Sequence, residues 1–158
     1  MLMTADAILA YGAVLGGHET GWQVTCTRDN WLFDDNLNPQ QKGVEELFND
    51  RAVAWAGLRY VPWDNAPRIN RQIAERAWDK LGVQFLAYGD YDHCVYMLAA
   101  HAVIAHRRQE GHPDITNLAL GLHRWGGKLA VAADALGLEL PEPRWVLASW
   151  TNMPDALP

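Results

Sequence analysis

Residues 83–106, VQFLAYGDYDHCVYMLAAHAVIAH, decide how the chain is read. Two apolar runs, 83–88 and 94–106, flank the polar turn Gly89-Asp90-Tyr91-Asp92-His93, and this pattern predicts two antiparallel strands. From Ala99 onward the alanines fit a helical period as well, so a helical end to the second run is the alternative. Towards the N-terminus, residues 7–15, AILAYGAVL, form a third apolar run, bounded by Asp6 and Gly16-Gly17 and short enough for a buried strand. Turn chemistry follows to Gly21. The alternating stretch 22–27, WQVTCT, then predicts a hairpin with the first strand.

Residues 28–38, RDNWLFDDNLN, read as a loop. Asn38, Pro39 and Gln41 have the pattern of an N-cap, a proline in the first helical turn and a reciprocal capping glutamine. They predict a helix from there to about Leu58, with Val44, Leu47, Phe48, Ala52 and Trp55 on one apolar stripe. After the break at 60–63, YVPW, Asp64 or Asn65 can cap a second helix. Its stripe is Ile69, Ile73, Ala77 and Leu81, its stop is Gly82, and Arg68, Arg71, Gln72, Glu75, Arg76 and Asp79 form a solvated face. On the C-terminal side, Leu118, Leu122, Trp125, Leu129, Ala133 and Leu136 keep a helical stripe, with a break expected at Gly126-Gly127 and an end at Gly137. Residues 145–151, WVLASWT, close the pattern as a strand, and the tail from about 153 to 158 is expected to fray. The tetrapeptide LAYG occurs twice, at 9–12 and 86–89, but the flanking residues do not match, so no internal repeat is inferred.

This order of elements, with no linker or low-complexity segment, predicts one α+β domain over residues 1–158, its antiparallel sheet covered by helices on one face. The strands around Tyr11, Phe85, Met97 and Leu147 should share that sheet. The chain has 13 basic against 19 acidic residues and a net charge of −6, which disfavours nucleic acid and anionic membranes as partners. No run approaches the roughly 20 apolar residues of a membrane span, and the start, MLMTAD, lacks the basic character of a signal peptide. A soluble, cytoplasmic protein is expected. Cys26 and Cys94 stand apart in no ligand-spaced cluster, as reduced thiols would. The single serine, Ser149, is outside any Gly-x-Ser-x-Gly motif, which removes the nucleophile-elbow hydrolases.

The opening LAYGAVLGG (9–17) with Trp22, and the close LGLELPEPRWVLASW (136–150), resemble small hypothetical proteins of actinobacteria and their phages. These share an N-terminal LAYG-x-x-LGG…GW pattern and a C-terminal LGL…PRW-x-L-x-S pattern. The resemblance covers about a quarter of the chain and departs at Ala13, where an aromatic residue is common. It implies an actinobacterial or phage origin and an α+β fold, and it carries no catalytic residue over.

Asp90, Asp92 and His93, beside Cys94, are the densest group of reactive side chains and the weak candidates for an acid/base site. The bland account is a turn, since Asp and His favour turns for local hydrogen-bonding reasons. His101 and His106 fall on opposite faces of a strand, or well apart on a helix, so one metal does not readily take both. No metal and no cofactor is expected. Trp31 and Phe33, set among Arg28, Asp29, Asn30, Asp34 and Asp35, have the composition of apolar anchors in a polar rim, the alternative being that the loop folds back and buries its rings against the helices; Tyr60 with Trp63 form a second such loop. These four rings motivate a non-enzymatic accessory protein, of phage or mobile-element origin, that binds another protein through aromatic loops. The competing readings are a small hydrolase or transferase using Asp90, Asp92 and His93, and a structural homo-oligomer whose tryptophans meet across a two-fold axis.

Overall fold

The computed structural model describes residues 6–33, 43–62, 67–89, 94–105 and 121–150. In chain order the elements are β1 (Asp6–Gly17), β2 (Gly21–Trp22), β3 (Thr25–Cys26), α1 (Val44–Trp55), α2 (Pro67–Leu81), β4 (Gln84–Tyr88), β5 (Val95–Ala105), α3 (Leu122–Leu136), β6 (Leu138–Glu139) and β7 (Arg144–Trp150). The four long predicted strands are present, and β1, β4, β5 and β7 share one antiparallel sheet. β5 is extended to Ala105, so the helical alternative from Ala99 is not adopted.

β1 is the spine of this sheet. One side pairs with β5, and the other pairs with β7 near its start and with β2 near its end. β4 pairs outside β5, through Phe85↔Leu98 and its neighbours. The predicted hairpin after Gly17 is only partly formed. Gly21–Trp22 returns to β1, but Thr25–Cys26 leaves and pairs with β6 in a separate two-stranded ladder.

The sheet curls. Between the pairs Tyr11↔His101 and Gly12↔Ala99, β5 carries one extra residue, Ala100, and a second irregularity follows Val14; such bulges bend a strand and increase its twist. β4 and β7 consequently approach each other, with Tyr88 close enough to feel the Arg144 guanidinium. Ile8, Ala10, Met97 and Ala99 fill the concave side together with Leu86, Tyr88, Ala102 and Val146. Small residues are required there: a Cβ at Gly12 would lie 2.0 Å from the Leu98 carbonyl oxygen. The two copies of LAYG are not equivalent in this curl, because Tyr11 packs with the helices while Tyr88 packs inside.

The helices cover the convex face. Phe48 of α1, Trp78 of α2 and Leu129 and Leu136 of α3 pack with Leu15, Leu98, Phe85 and Tyr96 of the sheet in the main core. A run of near-parallel rings, Trp22–Tyr96–Phe85–Trp78, crosses this layer at centroid spacings of 5.8, 5.5 and 5.9 Å.

Three helix expectations are corrected. The cap proposed at Asn38, Pro39 and Gln41 is outside the described residues, but Gly43 has φ 67° and so cannot continue a helix from there; α1 starts at Val44. The α2 stripe holds at Ala77 and Leu81, with Ile73 partly buried against the core, but Ile69 is 49% exposed, and Asn70, Ala74 and Trp78 are buried in its place. α3 runs unbroken through Gly126-Gly127 and ends as expected at Gly137, in the left-handed conformation. Its flanking turns supply enough contact to the core, through Trp125 and Leu129, to offset the two glycines. The expected capping residues Asp64 and Asn65, the helical position Leu118 and the tail at 153–158 lie outside the described residues.

Candidate functional site

The loop expected to present Trp31 and Phe33 instead folds back onto the core. Phe33 is 7% exposed and sits edge-on to Trp22. Trp31 is half-buried, its ring edge-on to Phe48 at 5.0 Å and its Nε1 donating to the Leu136 carbonyl at 3.0 Å. Arg51 lies over the same indole and donates through Nε to the same carbonyl, while its two terminal nitrogens hold Asp29 at 2.8 and 3.1 Å. Arg28 donates to both the backbone and side chain of Asp134. The carbonyls at a helix C-terminus lack intrahelical donors and attract cations, so this loop is a cap for α3. As exposed anchors, Trp31 and Phe33 are corrected to structural rings.

Among the described residues, Tyr60 is the loop aromatic that stays exposed. Its loop is fixed from beneath by buried Asn70, whose amide accepts from the Val61 N–H and donates to the Val61 carbonyl. Partial burial, then the charges of Asp50 and Glu46, push the Tyr60 hydroxyl up to about 12. Trp63 lies outside the described residues, as do Asp90, Asp92 and His93 of the candidate acid/base loop. The neighbouring Cys94 is described: burial pushes its thiol up, opposed by a hydrogen bond donated from the Tyr96 hydroxyl. A raised thiol is the opposite of what a nucleophilic cysteine needs.

Among the described residues no group of three or more His, Cys, Asp or Glu is placed to hold a metal ion, and no helix is long and apolar enough to cross a membrane. A shallow open groove of about 220 Å³ lies between α1 and α3, lined by Arg51, Ala54, Trp55 and Ala135. Its one charged group, Arg51, is already engaged by Asp29 and the Leu136 carbonyl.

Among the described residues, the most exposed large apolar side chains of the sheet lie elsewhere, on β7. Tyr11 of β1, Trp125 of α3 and Trp145 of β7 pack mutually at centroid distances of 5.4–5.8 Å, and His101 of β5 stacks on Trp125 at 4.6 Å with the rings nearly parallel. The Trp125 ring lies against Gly121, where a Cβ would be 2.2 Å away. This cluster packs ring against ring across β1, β5, β7 and α3. At its rim Leu147, paired with Leu9, is 76% exposed, Trp145 is 37% exposed, and Leu122 lies one turn before Trp125 with a similar exposure. The sequence signal for this face is Trp145-x-Leu147, two large apolar residues at strand spacing. Its exposure could not be read there, because the alternation does not say which face α3 covers. Compared with known proteins, the chain matches no family model, no curated protein and no solved structure.

Proposed function

We propose that the protein is a non-enzymatic accessory module that works by binding protein, and that its recognition surface is the apolar rim formed by Leu122, Trp145 and Leu147. The single observation that carries this reading is the 76% exposure of Leu147 at the middle of a regular strand, beside a packed aromatic cluster. A leucine left in water forgoes roughly 1.5–3 kcal/mol that burial would supply, and large apolar side chains clustered at a surface mark sites of association. Aromatic anchors flanked by apolar neighbours are the residues on which binding energy concentrates. The loop aromatics Trp31 and Phe33 support the fold in this reading and do not contact the partner.

Affinity capture from a lysate of the source cell, with wild type, Leu147→Asp, Trp145→Ala and Trp31→Ala compared at equal amounts of folded bait, tests it. The expected result is a partner retained by wild type and lost with the first two variants. Retention of the same partner by Leu147→Asp would overturn the assignment of the surface.

A further inference from the structure

We propose that one exposed row of α2, together with Trp55 of α1, is a docking site for an acidic amphipathic segment of a partner protein. The site is built on α1 and α2, apart from the Leu147 rim, and does not depend on the reading of that rim.

Ile69, Ile73, Arg76 and Lys80 succeed one another at helical spacing and so form one row along α2. Ile69 is 49% exposed, Ile73 is half-buried at the margin of the core, and Arg76 and Lys80 are exposed. Lys80 lies over the Trp55 ring at 5.6 Å and donates to the Ala56 carbonyl. These contacts carry the row onto the end of α1, where Trp55 is 39% exposed. At the rise of a helix, Ile69 and Lys80 are about 16 Å apart, the length of three turns of a partner helix. Trp55 also walls the groove shared with Arg51, Ala54 and Ala135, which offers a depression to an apolar side chain reaching past Lys80. The row thus has exposed apolar groups at both ends, two cations between them and no acid.

Charge names the occupant. α2 holds four of the chain's 13 basic residues, Arg68, Arg71, Arg76 and Lys80, but two of its 19 acids, Glu75 and Asp79. At 3.6 residues per turn, both acids fall about a quarter turn or more away from the row. Among the described residues Arg68, Arg71 and Arg76 make no ion pair or hydrogen bond, whereas Arg28 and Arg51 are paired with Asp134 and Asp29. Helix stability does not account for this basic excess, because Arg68 stands in a first turn without acids, where the macrodipole disfavours cations. Carboxylates for Arg76 and Lys80, with apolar side chains at helical spacing for Ile69 and Trp55, are the complement of such a row. A nucleic acid fits it less well. Phosphates would meet the two cations and leave Ile69 in water, and acids outnumber bases in the rest of the chain, which repels a long polyanion.

The test is a titration of the isotope-labelled full chain with a synthetic helical peptide of about 14 residues, its leucines on one face and glutamates beside them, followed by amide and indole chemical shifts. The same peptide with lysine for every glutamate is the control, and a single-stranded oligonucleotide is the competitor. The expected result is shifts at the amides of residues 69–80 and the Trp55 indole with the glutamate peptide, and none there with the lysine peptide. Arg76→Glu, and salt raised from about 0.05 to about 0.5 M, should each raise the dissociation constant at least roughly tenfold. Ile69→Gln should raise it as well. Circular dichroism verifies that both variants are folded, and Leu147→Asp should leave the titration unchanged. No shifts at these residues with peptide up to about 1 mM, a range that covers weak docking, overturn the proposal, as does binding indifferent to Arg76→Glu. Displacement of the peptide from these residues by the oligonucleotide would make a nucleic acid the occupant, and shifts that grow with protein concentration alone would make it a second copy; either outcome overturns the assignment.

Discussion

Trp31 is held by its polar edge as well as by its ring, since its Nε1 shares the Leu136 carbonyl with Arg51. Trp31→Ala therefore removes packing against Phe48 and one of the two side-chain donors to the Leu136 carbonyl, and is expected to lower folding stability by about 3 kcal/mol, as truncation of large core rings does. Urea unfolding of the purified variant checks this, and a loss below about 1 kcal/mol, typical of surface sites, would return Trp31 to the surface. Tyr96 makes a different prediction. Burial, then the proximity and hydrogen bond of Cys94, then Glu45, push its hydroxyl up to about 12 from the ordinary 10.0, so the neutral form is the one that the fold favours. The unfolded chain gives up this proton first as pH rises. Stability from Tyr96 is thus complete below pH 10 and lost between 10 and about 12, with Tyr60 acting in the same direction. Tyr96→Phe should flatten the alkaline fall in unfolding midpoint measured from pH 8 to 11; an unchanged fall would show that other groups dominate it.

Among the elements, α3 departs furthest from its sequence signals. Gly126 and Gly127 cost about 1 kcal/mol each in a helix interior, which is why a break is expected there. The helix is continuous because Trp125, Leu129 and Ala132 on the same turns bury against the sheet and the other helices, and tertiary packing outweighs propensity. Nothing lies within 4 Å of a Cβ built at either glycine. Gly126→Ala and Gly127→Ala should therefore each stabilise the protein by about 0.5–1 kcal/mol, read from the midpoint of chemical unfolding; destabilisation by either would mean that the glycine serves a close contact. The strands were legible for the opposite reason. Apolar runs at 7–15, 83–88, 94–106 and 145–151 each need cover, and one antiparallel sheet supplies it. What the sequence does not encode locally is which face of an element is covered. The stripe of α2 fails only at Ile69, because Asn70 beside it is buried to clamp Val61, a partner nine residues away. The aromatic loop at 28–33 was misread because its partners, Asp134 and Leu136, lie more than a hundred residues on. The exposed face of β7 went unseen for the same reason: it depends on where α3 lies across the sheet.

At the scale of the molecule, the curled sheet separates two apolar layers that share their strands. Phe48, wholly buried, belongs to the layer beneath the helices, and Met97, 1% exposed, belongs to the concave side. β5 carries both layers on alternate residues, since Leu98 faces the helices while Met97 and Ala99 face the concavity. Loss of order on one face therefore withdraws the backbone that holds the other, and the described elements should unfold as one cooperative unit. Phe48→Ala is expected to cost about 3–5 kcal/mol and Met97→Ala about 2–5 kcal/mol. Both should move the same transition. Far-UV circular dichroism follows the strands and helices, whereas tryptophan emission reports on rings on the helix side, among them Trp22, Trp31, Trp78 and Trp125. In a cooperative fold the two signals coincide in wild type and shift together in Met97→Ala, although none of those tryptophans belongs to the concave cluster. A Met97→Ala variant whose circular dichroism transition moves while tryptophan emission keeps its wild-type midpoint would show that the two layers melt independently, and that the shared strands do not couple them.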